Sequence, residues 1–247
     1  MTQAVERAIS ILEILSSGPQ HPQLVAERID VHRTTALRLI QDLVNGGLAR
    51  RNEDGTFSVG YRLAGLAQAA LEQFDLRAIA HPHLRELCGE LGVTVHIATA
   101  VNGSIVYADK IEPHGKARLY SQIGKPVKIH ASGVGKALLA FMSPEERRMV
   151  LSGYTFERFT AATIVGREAF AAELARIRRN GYSTDDGEYE SFVNCIGYPV
   201  PDATGRVRTA ISVTAIKADR NLAALRAGLP QVRRTAEAIA AELGWVR

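Results

Sequence analysis

Apolar and polar positions change their rhythm between residues 22 and 63, and the rest of the chain is organised around that stretch. Along residues 33–46, RTTALRLIQDLVNG, a helical step of about 100° per residue puts Leu37, Ile40, Leu43 and Val44 on one side, widened by Ala36 and Leu39. Thr34, Arg38, Gln41 and Asn45 fall on the opposite side, a narrow polar face free of carboxylates. Just upstream, residues 23–29 predict a shorter helix with Leu24, Val25 and Ile29 facing inward. The connection Asp30-Val31-His32 has the length of a helix-turn-helix turn. Downstream, residues 48–51 and 56–59 flank Asn52-Glu53-Asp54-Gly55, and Asp-Gly between two short alternating runs predicts a hairpin. Helix, turn, helix and hairpin together predict a winged helix.

A helix lying in the DNA major groove needs one apolar face to dock on its own domain and one polar face to reach base edges. Residues 33–46 supply both. A single amphipathic helix is equally compatible with a solvated surface that binds nothing. The short preceding helix, the tight turn and the two-arginine hairpin favour DNA, because each has a task in one docking geometry. Candidate contacts are Arg33, Thr34, Arg38 and Gln41 on the helix, with Arg50 and Arg51 on the hairpin.

Residues 4–16 predict a first helix with Val5, Ala8, Ile9, Leu12 and Leu15 on one face, the third wall of a small core. After the hairpin, residues 60–74 carry the stripe Leu63, Leu66, Ala67, Ala70, Leu71 and Phe74, suited either to another chain or to packing within this one. A composition shift at Asp75 marks a boundary. The expected division is a DNA-binding domain at 1–60, a linker helix at 61–75 and an α+β sensor-like domain at 76–247. In the last, residues 76–91 predict a helix interrupted by Pro82, and Asn102-Gly103 joins strands at 93–101 and 104–111. A third strand is expected near 117–122, and helices near 132–142 and at 167–180. Ser143, Pro144 and Glu146 form a helix start with a capping box. Strands follow at 192–200 and 207–216, then a helix over 221–243 with a kink or break at Pro230.

Net charge, +4, does not by itself point to nucleic acid. Residues 1–75 carry seven arginines and no lysine against nine acidic residues, a net −2, and the remainder carries +6. It is where the arginines sit, not bulk charge, that points to DNA. Cys88 and Cys195 match neither a disulfide framework nor zinc-site spacing, which fits a reducing cytosolic compartment. The amphipathic N-terminus carries Glu6 and Glu13, unlike a signal peptide, and no apolar run is long enough to span a membrane.

Candidate chemistry is sparse. Gly133-Val134-Gly135-Lys136 fails as a phosphate loop, which would require glycine at position 130 and Ser or Thr at 137, where the chain has His130 and Ala137. A glycine-started helix can still hold an anion on its free N–H groups, or can simply be a close-packed helix entry. Cys195 reads as a buried thiol or a pocket wall, since no base is placed against it for nucleophilic work. His81 and His83 stand two apart and face different ways on a helix, and no metal or cofactor is expected. Asp185, Asp186, Glu188 and Glu190 read as a solvated acidic turn or as the rim of a pocket. Ser212 and Thr214, two apart on one strand, point the same way and suit a polar ligand.

Taken in order, VERAISILEIL (5–15), RTTALRLIQDLVNGGLARR (33–51), FSVGYRLAGLA (57–67), KIHASGVGKALLA (128–140), DDGEYESFVNCIGYPV (185–200) and AISVT (210–214) resemble the IclR family of bacterial transcriptional regulators over nearly the full length. The resemblance implies a winged helix-turn-helix, a linker helix and a GAF-like mixed α/β effector domain. It also implies homodimers or homotetramers, double-stranded operator DNA as partner, and control of catabolic genes by a small organic acid or aromatic metabolite. By position it implies Thr34, Thr35 and Arg38 at DNA, and an effector pocket lined by Gly133, Val134, Asp186, Cys195, Ile196, Ser212 and Thr214. A ligand carboxylate is expected at the start of the Gly133 helix. Phe192, where many members have glycine, is expected to narrow the pocket edge. The alternative function is a metabolite-processing enzyme with an accessory DNA-binding domain; the absence of an acid/base, metal or nucleophile constellation tells against it.

Overall fold

The computed structural model describes residues 3–66, 75–115, 119 and 121–246. Two compact units divide the chain, Met1–Phe74 and Asp75–Arg247.

The first unit runs α1 (Gln3–Ser16), α2 (Pro22–Arg28), α3 (Arg33–Asn45), β1 (Ala49–Arg51) and β2 (Phe57–Val59). Pro22 opens α2, where its fixed φ is already helical and its missing N–H has no intrahelical partner to lose. Between α2 and α3 the turn is closed by Asp30 in the left-handed region (φ 50°) and by Val31 N–H on the Ala26 carbonyl at 3.0 Å. The core contains Ile11 and Leu15 of α1, Val25 of α2, Ile40 and Leu43 of α3, and Ala49 and Phe57 of the hairpin. Every predicted element thus contributes, as a unit this small requires. In the hairpin loop, Asp54 accepts from the Thr56 N–H at 2.9 Å and from its hydroxyl at 2.6 Å, bonds that hold its carboxyl below the usual range. Leu37 departs from expectation: it is exposed, not on the buried face. Residues 62–66 are helical; the rest of the stripe expected to reach Phe74 lies at 67–74, outside the described residues.

The second unit runs α4 (Leu76–Leu91), β3 (Thr94–Val101), β4 (Ser104–Ile111), α5 (Gly133–Phe141), α6 (Pro144–Val150), α7 (Arg167–Asn180), β5 (Ser183–Asp186), β6 (Val193–Pro201), β7 (Val207–Ile216), α8 (Leu222–Arg226) and α9 (Leu229–Glu242). Its five strands form one antiparallel sheet in the order β4-β3-β7-β6-β5. Helices α4 and α9 cover one face over a core that includes Val95, Ile97, Ile196, Ile211 and Val213. Helices α5 and α7 pack on the other, with Val134, Leu138, Phe170 and Leu174 among its buried residues.

Pro82 does not interrupt α4. It lies on the exposed side of the helix, and the Ala78 carbonyl it leaves without a donor belongs to an exposed residue that water can serve. The predicted C-terminal helix breaks at Ala227-Gly228, and Pro230 starts α9 from its first turn. Residues 183–186 form a strand instead of a solvated acidic turn. Of the strand expected near 117–122, residues 117, 118 and 120 lie outside the described residues, and Leu119, Ser121 and Gln122 are not in a strand.

Candidate functional site

On α3, Arg33, Thr34, Arg38 and Gln41 are exposed and Thr35 is half-buried. His32 caps this helix: its Nδ1 receives the Thr34 N–H at 3.4 Å and lies 2.9 Å from the Thr34 hydroxyl. Gln41 Nε2 donates to Asn45 Oδ1 at 3.1 Å, tying up part of its amide. The guanidinium groups of Arg33, Arg38 and Arg51 have no hydrogen bond or ion pair among the described residues and are available to an anionic partner. Arg50 and Arg51, consecutive on β1, leave opposite faces of the ribbon. Arg50 lies over the ring of Tyr61, 5.9 Å from its centroid, and Tyr61 is 86% exposed. Sequence reading missed both the Tyr61 stack and the His32 cap.

The second unit holds a narrow, partly open cleft. Strand register builds it. Asp185 pairs with Cys195, Cys195 with Thr214 and Thr214 with Thr94; one step along, Gly197 pairs with Ser212 and Ser212 with His96. Side chains two apart share a face, so Asp185, Cys195, Ser212, Thr214 and His96 converge on the side covered by α5, whose Val134 also lines the cleft.

The same alternation removes two expected members. Ile196 follows Cys195 and points into the opposite core, fully buried. Asp186 follows Asp185; it is exposed and ion-paired with Lys217 at 2.8 Å, while Asp185 takes its place in the lining. Phe192 is 53% exposed and absent from the lining, so it does not narrow the cleft.

Gly133 is a packing residue. A Cβ there would come within 3.0 Å of Cys195 Cβ, and one at Gly197 would lie 2.3 Å from the Gly133 carbonyl oxygen. Two bare backbones let α5 sit directly on β6, and Ser183 Oγ donates to the Gly133 carbonyl at 2.5 Å. Two of the first-turn donors are used within the protein: Ser132 Oγ accepts from Gly135 N–H at 3.3 Å, and Gly133 N–H serves Cys195 Sγ. Fewer free N–H groups therefore remain at this helix start than an open cradle would offer, though Ser132 and Val134 border the cleft. Lys136, wholly buried, pairs with Glu188 and, at 3.4 Å, with Glu173.

Burial sets the electrostatics of the cleft. It pushes the Cys195 thiol up to about 12, aided by the charge of Asp185 and opposed by hydrogen bonds from Thr214 and Gly133. His96 is driven down to about 3 by burial and by Lys110, and therefore stays neutral; it lies 2.7 Å from Ser121 Oγ and 3.5 Å from Thr214 Oγ1. Thr214 Oγ1 is in turn 3.0 Å from Cys195 Sγ. A protonated thiol beside a threonine hydroxyl is a hydrogen-bonding wall, not a thiolate nucleophile. Asp185 is pushed up to about 6 by burial, against the Glu188 N–H, Lys136 and Lys217. The Ser212 hydroxyl, in a residue 1% exposed, has no hydrogen-bond partner among the described residues. Among those residues no His/Cys/Asp/Glu cluster could hold a metal ion.

Residues 4–53 match the IclR helix-turn-helix domain, and residues 68–241 match the bacterial transcriptional regulator IclR C-terminal domain. The chain is 30% identical over 246 residues to the Escherichia coli K12 transcriptional regulator XynR, covering 98% of both. It is 30% identical over 250 residues to the E. coli K12 DNA-binding transcriptional repressor YiaJ, covering 99% of this chain and 89% of YiaJ. The crystal structure of Thermotoga maritima IclR aligns with a TM-score of 0.65 at 26% identity, covering 99% of this chain and 100% of that one. With both domains in order and relatives at this identity over most of their length, the chain belongs to the IclR family of bacterial transcriptional regulators.

Proposed function

We propose that this regulator binds operator DNA through Arg33, Thr34, Thr35, Arg38 and Gln41, with Arg50 and Arg51 meeting phosphates from the hairpin. A small hydroxylated organic acid in the cleft of the second unit modulates that binding. The observation that carries the effector reading is the convergence of Asp185, Cys195, Ser212, Thr214 and His96 on one partly open cleft. Among the described residues no lysine or arginine lines it, whereas Asp185 and Glu190 do, so the hydroxyls of Ser121, Ser212 and Thr214 carry the recognition of the ligand's polar groups. The regulated genes are catabolic and the protein works in the cytoplasm. Repression is the sign of control we favour, by likeness to the named repressor YiaJ.

The working form is a homodimer or a tetramer. Exposed Val5, Ile9 and Leu66 in the first unit support this, as does the stripe of apolar residues continuing to Phe74. Effector binding shifts DNA affinity only through its difference in affinity for two arrangements of the subunits.

Calorimetry with a panel of short and hydroxylated organic acids tests the pocket. Ser212→Ala with Thr214→Val is expected to weaken the acid that binds best by about tenfold or more, with acid-free operator binding intact. Wild-type acid affinity in that variant places the effector elsewhere.

A further inference from the structure

Helix α3 exposes one large apolar side chain. Leu37 is 36% exposed and is absent from the residues that pack on the core of its unit, although Leu39 and Val44 on either side of the helix do. Its neighbours on the helix surface, three and four residues away, are Arg33, Thr34, Ile40 and Gln41. Ile40 is fully buried, so the exposed flank of Leu37 is formed by Arg33, Thr34 and Gln41, all of them on the face assigned to DNA. Helical side chains lean toward the N-terminus, so the leucine covers the turn carrying Arg33 and Thr34. In a major-groove helix that N-terminal half is the part that reaches base edges.

A leucine there cannot donate or accept a hydrogen bond. Of the groups that base pairs display in the major groove, only the thymine C5-methyl is apolar. We infer that Leu37 is a specificity residue that reads a thymine methyl group in the operator. The inference rests on α3 presenting its Thr34-Arg38-Gln41 face to DNA.

The test uses the full chain and a double-stranded sequence that it selects from a randomised library. Each thymine is replaced singly by deoxyuridine, which removes the methyl and keeps the pairing. Wild type is expected to lose about fourfold in affinity at one thymine position, the worth of one buried carbon. Leu37→Ala is expected to bind the thymine sequence correspondingly less well and to be indifferent to uracil at that position. Leu37→Met, which keeps an apolar tip, is expected to recover most of the discrimination. Circular dichroism melting establishes that both variants are folded at the temperature of the binding measurement, since a side chain 36% exposed still contributes some packing. Wild type insensitive to every uracil replacement overturns the inference, as does Leu37→Ala that retains the wild-type loss at the same position. Arg38→Ala separates the two levels of the argument. Changed base preference in Arg38→Ala without any Leu37–methyl coupling removes this inference alone; unchanged base preference in Arg38→Ala removes the α3 reading itself.

Discussion

Replacing Asp185 by asparagine removes a charge that the fold buries at a cost. The carboxyl is 3% exposed and its pKa rises from 3.8 to about 6, chiefly through burial. Lys136, Lys217 and the Glu188 N–H pull it down and Asp186 pushes it up, and burial outweighs them. The folded state therefore binds this proton more tightly than the unfolded chain. Its contribution to stability grows as pH falls through 6 and is lost as pH rises. At pH 8 both states are ionised, and a shift from 3.8 to about 6 opposes folding by about 3 kcal/mol. At pH 5 protonation in the folded state removes about 1 kcal/mol of that. Asp185→Asn keeps an oxygen acceptor for the Glu188 N–H and carries no charge at either pH. It is expected to be more stable than wild type at pH 8, with an advantage about 1 kcal/mol smaller at pH 5. The difference between the two proteins is the quantity to follow. His96, whose pKa is lowered, costs stability as pH falls through 6.5 in both of them. Urea unfolding followed by fluorescence of Trp245, the single tryptophan, reports on the second unit alone. A stability difference independent of pH, or one that grows toward pH 5, refutes the assignment of a buried, proton-holding carboxyl.

Three further outcomes follow from the geometry. Arg38→Ala should cost about 1–3 kcal/mol in operator binding and relax preference at one base pair, whereas Arg51→Ala should weaken all sequences alike and lower the salt slope by about 1; gel shifts at two salt concentrations separate them. Gly197→Ala drives a Cβ to 2.3 Å from the Gly133 oxygen and 2.6 Å from Ser183 Oγ, and should destabilise the second unit by about 3 kcal/mol or more in urea unfolding. Leu66→Glu with Leu71→Glu should give a folded chain of lower mass in sedimentation that no longer binds its operator cooperatively; unchanged mass removes the stripe from the subunit contact.

What was legible in the sequence was local. Asp54-Gly55 and Asn102-Gly103 marked their hairpins because few residues adopt those φ values without strain, and both Asn102 and Gly103 lie in the left-handed region. Ser143 accepts the Glu146 N–H at 3.2 Å as its spacing predicted, and Gly181 closes α7 with φ 82°. Helices α1 to α3 were fixed by periodicity, since a small core needs every apolar face.

The readings that failed depended on distant partners. STDD has no strand signature; it becomes β5 because β6 offers it an edge and α5 buries it. Asp186 and Ile196 were assigned to the pocket by motif position, yet each follows a residue that faces the cleft, and period two sends both to the other side. The pairing of Lys136 with Glu188 and Glu173, from distant elements, had no local signal in the sequence. Leu37 belonged to the apolar side by angle alone, and only the packing showed it turned outward.

The central claim is that the second unit's cleft governs DNA binding by the first. The direct measurement is fluorescence anisotropy of the full chain on the DNA flanking its own gene, with and without the organic acid it binds most tightly. Calorimetry of that acid, with and without saturating DNA, completes the thermodynamic cycle. The account predicts that acid changes operator affinity by a factor of about 5–150, and that operator changes acid affinity by the same factor. It further predicts that Ser212→Ala with Thr214→Val diminishes the response at acid concentrations near the wild-type dissociation constant, because that variant binds the acid about tenfold more weakly. An operator affinity indifferent to bound acid, or a response undiminished in that variant, contradicts it.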